Sequence, residues 1–313
     1  MNRQKVICPL LIALAVDGSE HSHAAVELIR DLPIGGPHPP ESEVKTSITI
    51  LTVVHPRDAS EYAARMALLG HTQNYLRQKD FIVNTELLTG HPAEMLVNFI
   101  EVHNPDLTVL GAKGLRATLG FLLGGVAQQI VEYAHCPVLV VRAPYKGLQR
   151  ILFVTDGSEY SQRATEYLGC FPLPEGAEVT VAHVTPPVSP PELIIRHYPV
   201  GADVYIPITT PEIEEAQALQ VEQEKQTGQT ILDQAVASLT SSGIESNRIL
   251  LNGDPATEII EYAKENHIDL IVCGSRGLSE FRGFIMGSVS RKLVHYSGCS
   301  VLVVKGKLEP KGK

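Results

Sequence analysis

Short apolar runs rich in Val, Ile and Leu recur along the chain, separated by stretches whose apolar residues fall three and four apart. Such runs read as buried strands and such stretches as amphipathic helices. In the first half the runs occupy residues 10–16, 47–54, 81–88, 107–110 and 138–141. Ser19 suits the cap of the first intervening helix, which carries Ala24, Ala25, Leu28 and Ile29 on one side. A second helix covers 59–79, and Pro92 suits the first turn of a third, with Leu96, Phe99 and Ile100. Residues 33–40 hold Pro33, Pro37, Pro39 and Pro40 and form a loop. In the second half the runs fall at 151–155, 178–183, 248–251, 270–273 and 301–304, with residues 143–149 as the link between halves. Strands alternating with helices imply right-handed crossovers and a parallel sheet.

The halves differ between their second and third strands. There Pro186, Pro187, Pro190, Pro191, Pro199, Pro207 and Pro211 punctuate a segment that also holds Ile194, Ile195, Tyr198, Val204, Tyr205 and Ile206. It reads as an ordered excursion packed on a neighbour, with a lid over a ligand as the alternative. Thr209 or Thr210 before Pro211 then starts a long helix over 211–239, bent at Gly228.

One spacing occurs twice. Gly274-Ser275-Arg276-Gly277, nine residues, then Gly287-Ser288-Val289-Ser290 answers Gly111-Ala112-Lys113-Gly114, nine residues, then Gly124-Gly125-Val126. The offset of 163 (111 to 274, 124 to 287) also carries Gly90-His91-Pro92 onto Gly253-Asp254-Pro255, and Cys136 with its apolar run onto Cys299. Near the start of each half, Val16-Asp17-Gly18-Ser19-Glu20 matches Thr155-Asp156-Gly157-Ser158-Glu159. Separated motifs repeated in one order mean an internal duplication. The expected domains are 1–144 and 145–313.

Each glycine pattern follows a strand and opens a helix. Glycines let a backbone approach closely, and the free N–H groups of a helix start favour an anion. The alternative is that these glycines serve only tight packing of strand on helix. The Asp-Gly-Ser strand and the glycine pattern together resemble the universal stress protein family, in two tandem copies covering nearly the whole chain. The resemblance implies an α/β fold of two doubly wound domains, each a five-stranded parallel sheet of order 3-2-1-4-5 with helices on both faces. It also implies an adenine nucleotide (ATP, AMP or ADP, with Mg as a further candidate) at the carboxyl ends of the strands. Family members without the glycine motif are not thought to bind ATP.

Carried onto this chain, the second-half site comprises Asp156, Ala182, His183, Val184, Gly274, Arg276, Gly277, Gly287, Ser288, Val289 and Ser290. Asp156 is placed to take a hydrogen bond from ribose or adenine, or alternatively to order its own turn. His183 is paired with His55 as repeat equivalents. The first-half site comprises Asp17, Val54, Gly111, Lys113, Gly114, Gly124, Gly125 and Val126. There Gly125 and Ala127 replace Ser288 and Ser290, so two hydroxyls are lost and the tight site is expected in the second half.

The rest of the sequence sets limits. A net charge of −9 argues against general nucleic-acid binding, which needs clustered Lys and Arg. The five cysteines form no Cys-x-x-Cys pair and suit a reduced, cytoplasmic protein. No apolar run is long enough for a membrane span. The run over 6–16 is a strand rather than a signal peptide, because Pro9 interrupts it and it ends at the repeated Asp-Gly-Ser. No phosphate loop, zinc-protease motif or nucleophile elbow is present, and nothing nominates a general base. The functional expectation is a nucleotide-binding stress sensor or regulator. Its rivals are an interaction module working through protein partners and a slow ATPase. The fifth strands, 138–141 and 301–304, are expected to pair antiparallel within one chain as a pseudo-dimer. A further homodimer through the helix over 211–239 is a second expectation.

Overall fold

The computed structural model describes residues 10–34, 46–55, 59–77, 79, 81–114, 123–187, 193–197, 203–207, 211–278 and 286–305. The first half runs β1 (Leu11–Ala15), α1 (Glu20–Asp31), β2 (Ser47–Val54), α2 (Ala59–Leu76), β3 (Ile82–Thr89), α3 (Pro92–His103), β4 (Leu107–Gly111), α4 (Gly125–Tyr133) and β5 (Val138–Val141). The second half begins with β6 (Arg150–Val154), α5 (Glu159–Cys170) and β7 (Glu178–Thr185). A hairpin of β8 (Leu193–His197) and β9 (Asp203–Pro207) follows, paired antiparallel apart from the main sheet. The chain then continues through α6 (Pro211–Ser241), β10 (Ser246–Asn252), α7 (Pro255–Glu265), β11 (Leu270–Gly274), α8 (Ser288–Tyr296) and β12 (Ser300–Val304). No described helix is long and apolar enough to cross a membrane.

The main sheet has ten strands in the order β10-β7-β6-β11-β12-β5-β4-β1-β2-β3. Within each half all pairs are parallel; β5 and β12 meet antiparallel, with Leu139 opposite Leu302. Alternate residues of these strands point to opposite faces. Leu139, Val141, Leu302 and Val304 join one core cluster, beside residues of α1, α2, α5 and α6. Val138, Val140, Val301 and Val303 join the other, beside α3, α4, α7 and α8. Each cluster therefore runs unbroken through both halves.

The last residue of each central edge reaches across the junction. Arg142 follows β5 and donates through Nη2 to the carbonyls of Val294 (2.8 Å) and His295 (3.3 Å), in the last turn of α8. Its repeat equivalent, Lys305, follows β12 and donates through Nζ to the Glu132 carbonyl of α4 at 3.1 Å. A cation at a helix C-terminus satisfies orphan carbonyls and meets the negative end of the dipole. Burial lowers the Lys305 pKa to about 8.

Several expected boundaries shift. The expected helix over 59–79 ends at Leu76, and β7 extends two residues past His183. The helix α6 continues through Gly228, where a Cβ would meet Leu250 Cδ1 at 2.8 Å and His183 Cδ2 at 3.0 Å. The glycine thus lets α6 lie down on β7 and β10. Most of the loop over 33–40, the prolines Pro190, Pro191 and Pro199, and Thr209 and Thr210 lie outside the described residues, as does the start of the 6–16 run.

Candidate functional site

In each half the strand order reverses between the first and fourth strands, and crevices open at such points at the carboxyl ends. At the end of β1, Gly18 adopts φ 81°, a conformation that suits glycine. The turn it makes aims Asp17 back at the crevice. Asp17 Oδ1 accepts from Ser19 N at 3.0 Å, and Asp156 Oδ1 accepts from Ser158 N at the same distance. Each aspartate therefore orders its turn with one oxygen. The other oxygen faces the second glycine of the pattern. A Cβ on Gly114 would come 2.5 Å from Asp17 Oδ2, and one on Gly277 2.4 Å from Asp156 Oδ2.

The first glycine of each pattern has a packing reason. A Cβ on Gly111 would lie 2.7 Å from the backbone of His21 and Ser22, and one on Gly274 2.8 Å from the Tyr160 carbonyl. The third glycine closes the nine-residue excursion. Gly124 N donates to Ala112 O at 2.7 Å, and Gly287 N to Ser275 O at 2.8 Å. Gly124 and Gly287 are the N-caps of α4 and α8, with no side-chain cap, so first-turn amides lie at the crevice.

A cleft of about 650 Å³ occupies the first-half crevice. Asp17, Gly111, Lys113, Gly114, Gly124, Gly125 and Val126 all line it. Of the expected first-half residues only Val54 does not; Val53 and His55 line it instead. Along a strand alternate residues change faces, so a one-residue difference matters.

Register also corrects the pairing of His183 with His55. Val16 N donates to Leu51 O and Thr155 N to Ala182 O, which makes Leu51 the equivalent of Ala182 and Thr52 the equivalent of His183. The His183 ring is engaged within the fold, its Nδ1 lying 2.8 Å from Thr155 O. Ser290 is likewise engaged: its hydroxyl is buried and donates to Gly274 O at 2.7 Å. Of the two serines, Ser288 is the exposed one, at the start of α8. The expected difference of two hydroxyls between halves thus becomes one. The Arg276 guanidinium lies over the Tyr160 ring, 5.8 Å from its centroid.

Other lining residues had no place in the sequence expectation. Arg65 of α2 donates to Asp17 O at 2.6 Å and to Glu61 at 2.8 Å. Its equivalent in α6, at the 163 offset, is Gly228, because Leu68 approaches Gly18 as Ile231 approaches Gly157. His91 lines the cleft from the start of α3 and Gln129 from the second turn of α4. Their equivalents are Asp254 and Lys292, 3.5 Å apart. Asp254 caps α7 through Thr257, and those hydrogen bonds, with Lys292 nearby, hold its carboxyl below the usual range. The Gly-x-Pro repeat pointed to His91, while Gln129 stands one turn beyond Gly125 and was legible only from helix geometry. No group of three metal-ligating side chains occurs among the described residues.

The profile of the universal stress protein family matches residues 11–142 and 147–305. The chain belongs to the universal stress protein family. It is a tandem member, with one match in each half. Universal stress protein YxiE of Bacillus subtilis is 32% identical over 156 residues, covering 50% of this chain and 98% of its own length. A universal stress protein of Mycolicibacterium smegmatis is 25% identical over 322 residues, covering 94% of this chain and 96% of its own. The crystal structure of a universal stress protein from Archaeoglobus fulgidus superposes with a TM-score of 0.60 at 19% identity, covering 95% of this chain and 97% of that one. That likeness is one of fold.

Proposed function

We propose that this universal stress protein binds adenine nucleotides at the carboxyl ends of its strands and acts as a sensor or regulator in the stress response. The observation that carries the reading is the first-half cleft, whose size suits a small-molecule site and whose wall joins the Asp turn to the glycine pattern. Apolar residues such as Leu51, Val53, Leu96 and Leu110 supply a surface for a base. The amides starting α4 or α8 face the phosphates, and Mg²⁺ enters with the phosphates rather than through a protein cage. The second half, with Ser288 and Arg276, is the tighter site for ATP. The free cysteines Cys136, Cys170, Cys273 and Cys299 suit work in a reducing cytoplasm.

The test is to denature the purified full chain, identify any released small molecule by mass spectrometry, and titrate the refolded or ligand-free protein with ATP, ADP and AMP. Binding of at least one is expected; no bound molecule and no heat with any of the three overturns the reading. The β8–β9 hairpin favours a protein partner as a second role, since a two-stranded sheet alone is marginal in water. Deleting residues 188–210 should leave nucleotide binding intact and abolish partner capture.

A further inference from the structure

The two halves repeat their fold but not the charge at the mouth of the crevice. In the first half His91 lines the cleft from the start of α3 and Gln129 from the second turn of α4. The 163 offset places Asp254 and Lys292 at the same two points of the second half. Lys292 lies four residues beyond Ser288 on α8, hence on the same helix face, one turn further in. Its ammonium is held 3.5 Å from Asp254 Oδ1, and both side chains are about half exposed (51% and 52%).

We propose that Lys292 is a phosphate-binding and specificity-determining residue of the second-half crevice. It selects nucleotides with two or three phosphates there, while Gln129 leaves the first-half cleft to shorter ones. The proposal rests on the nucleotide reading above. An exposed Lys–Asp pair is held weakly, so exchanging the carboxylate for a phosphate costs little. Phosphate offers more charge and more acceptor oxygens than Asp254, whose Oδ1 already accepts from Thr257 N and Oγ1. The lysine stem is long and flexible, which lets the ammonium swing from α7 to a ligand over the helix start. Gln129 has neither the charge nor the partner. Asp254 opposes phosphate by its own charge and stores the cation when the crevice is empty.

The experiment titrates ATP and AMP calorimetrically into the full-length wild type and into Lys292→Gln, Gln129→Lys and Asp254→Asn, with thermal melts as the check on folding. Lys292→Gln should weaken ATP about tenfold while leaving AMP within about twofold, and should flatten the salt dependence of ATP binding. Gln129→Lys should strengthen ATP at the first-half cleft. Asp254→Asn keeps a capping side chain and should strengthen ATP, because it frees Lys292 and removes a repulsive charge. If Lys292→Gln leaves ATP affinity and its salt dependence unchanged, or weakens ATP and AMP alike, the pair is only a brace between α7 and α8 and the proposal is wrong. A wild type that binds neither nucleotide overturns the nucleotide reading as well, so the two failures are distinguishable.

Discussion

Asp17 and Asp156 divide their two carboxylate oxygens in the same way. One carboxylate oxygen orders the Asp-Gly-Ser turn and the other faces the second glycine of the pattern. Sequence could name the aspartates because the motif repeats, but only coordinates divide the two oxygens. The serines of the second half show the opposite case. Ser288 and Ser290 look equal in the sequence, yet Ser290 is turned inward onto Gly274 O. Helix geometry separates them, since residues two apart point to different sides. Ser290→Ala should therefore lose about 1 kcal/mol of stability by urea unfolding and change ATP affinity by less than about twofold. Ser288→Ala should weaken ATP about tenfold with an unchanged melting temperature. Equal effects on affinity from both would contradict the division of roles.

At the scale of elements, strands and helices were legible because apolar periodicity and Gly/Pro punctuation are local signals. Register was less so. His55 and His183 follow strands of similar look, but pairing with the first strand of each half puts Thr52, not His55, level with His183. The hairpin β8–β9 was hidden by its prolines, which mask strand pairing in a one-dimensional pattern. The role of Gly228 was also invisible, because the atoms it makes room for belong to β7 and β10. Gly228→Arg, which installs the first-half residue, should force α6 off His183 and Leu250 and cost about 1–3 kcal/mol. Arg65→Gly in α2 should instead remove the donor to the Asp17 carbonyl and alter the first-half cleft while leaving the second untouched. Chemical denaturation and a two-site titration read these outcomes.

At the scale of the molecule, β5 and β12 carry both core clusters across the junction, and Arg142 and Lys305, at opposite ends of the antiparallel pair, each bond a helix of the other half. The apolar edge strands were evident in sequence; the crossing cations were not, since their acceptors lie in the other half. Leu302→Ala should cost about 2–5 kcal/mol, and the halves should lose stability together rather than in separate steps. Lys305 gives the junction a pH signature. Its pKa is about 8 in the fold against 10.5 when unfolded, so between these values the unfolded chain binds more protons. Stability from this group therefore rises with pH across that window, by about 1 kcal/mol per unit. Lys305→Met should lose that rise in urea unfolding at pH 8 and pH 10; an identical slope in both proteins would show that Lys305 is not buried at the junction.

The central claim is that the Asp turn and the glycine pattern form nucleotide sites. Its most direct measurement is calorimetry of ATP with the full-length wild type and with a Gly114→Glu, Gly277→Glu double variant, whose new side chains would press on Asp17 Oδ2 and Asp156 Oδ2. Saturable binding to the wild type, and none to a double variant that still melts cooperatively, is the predicted result. Binding of equal strength to both proteins, or to neither, would contradict it.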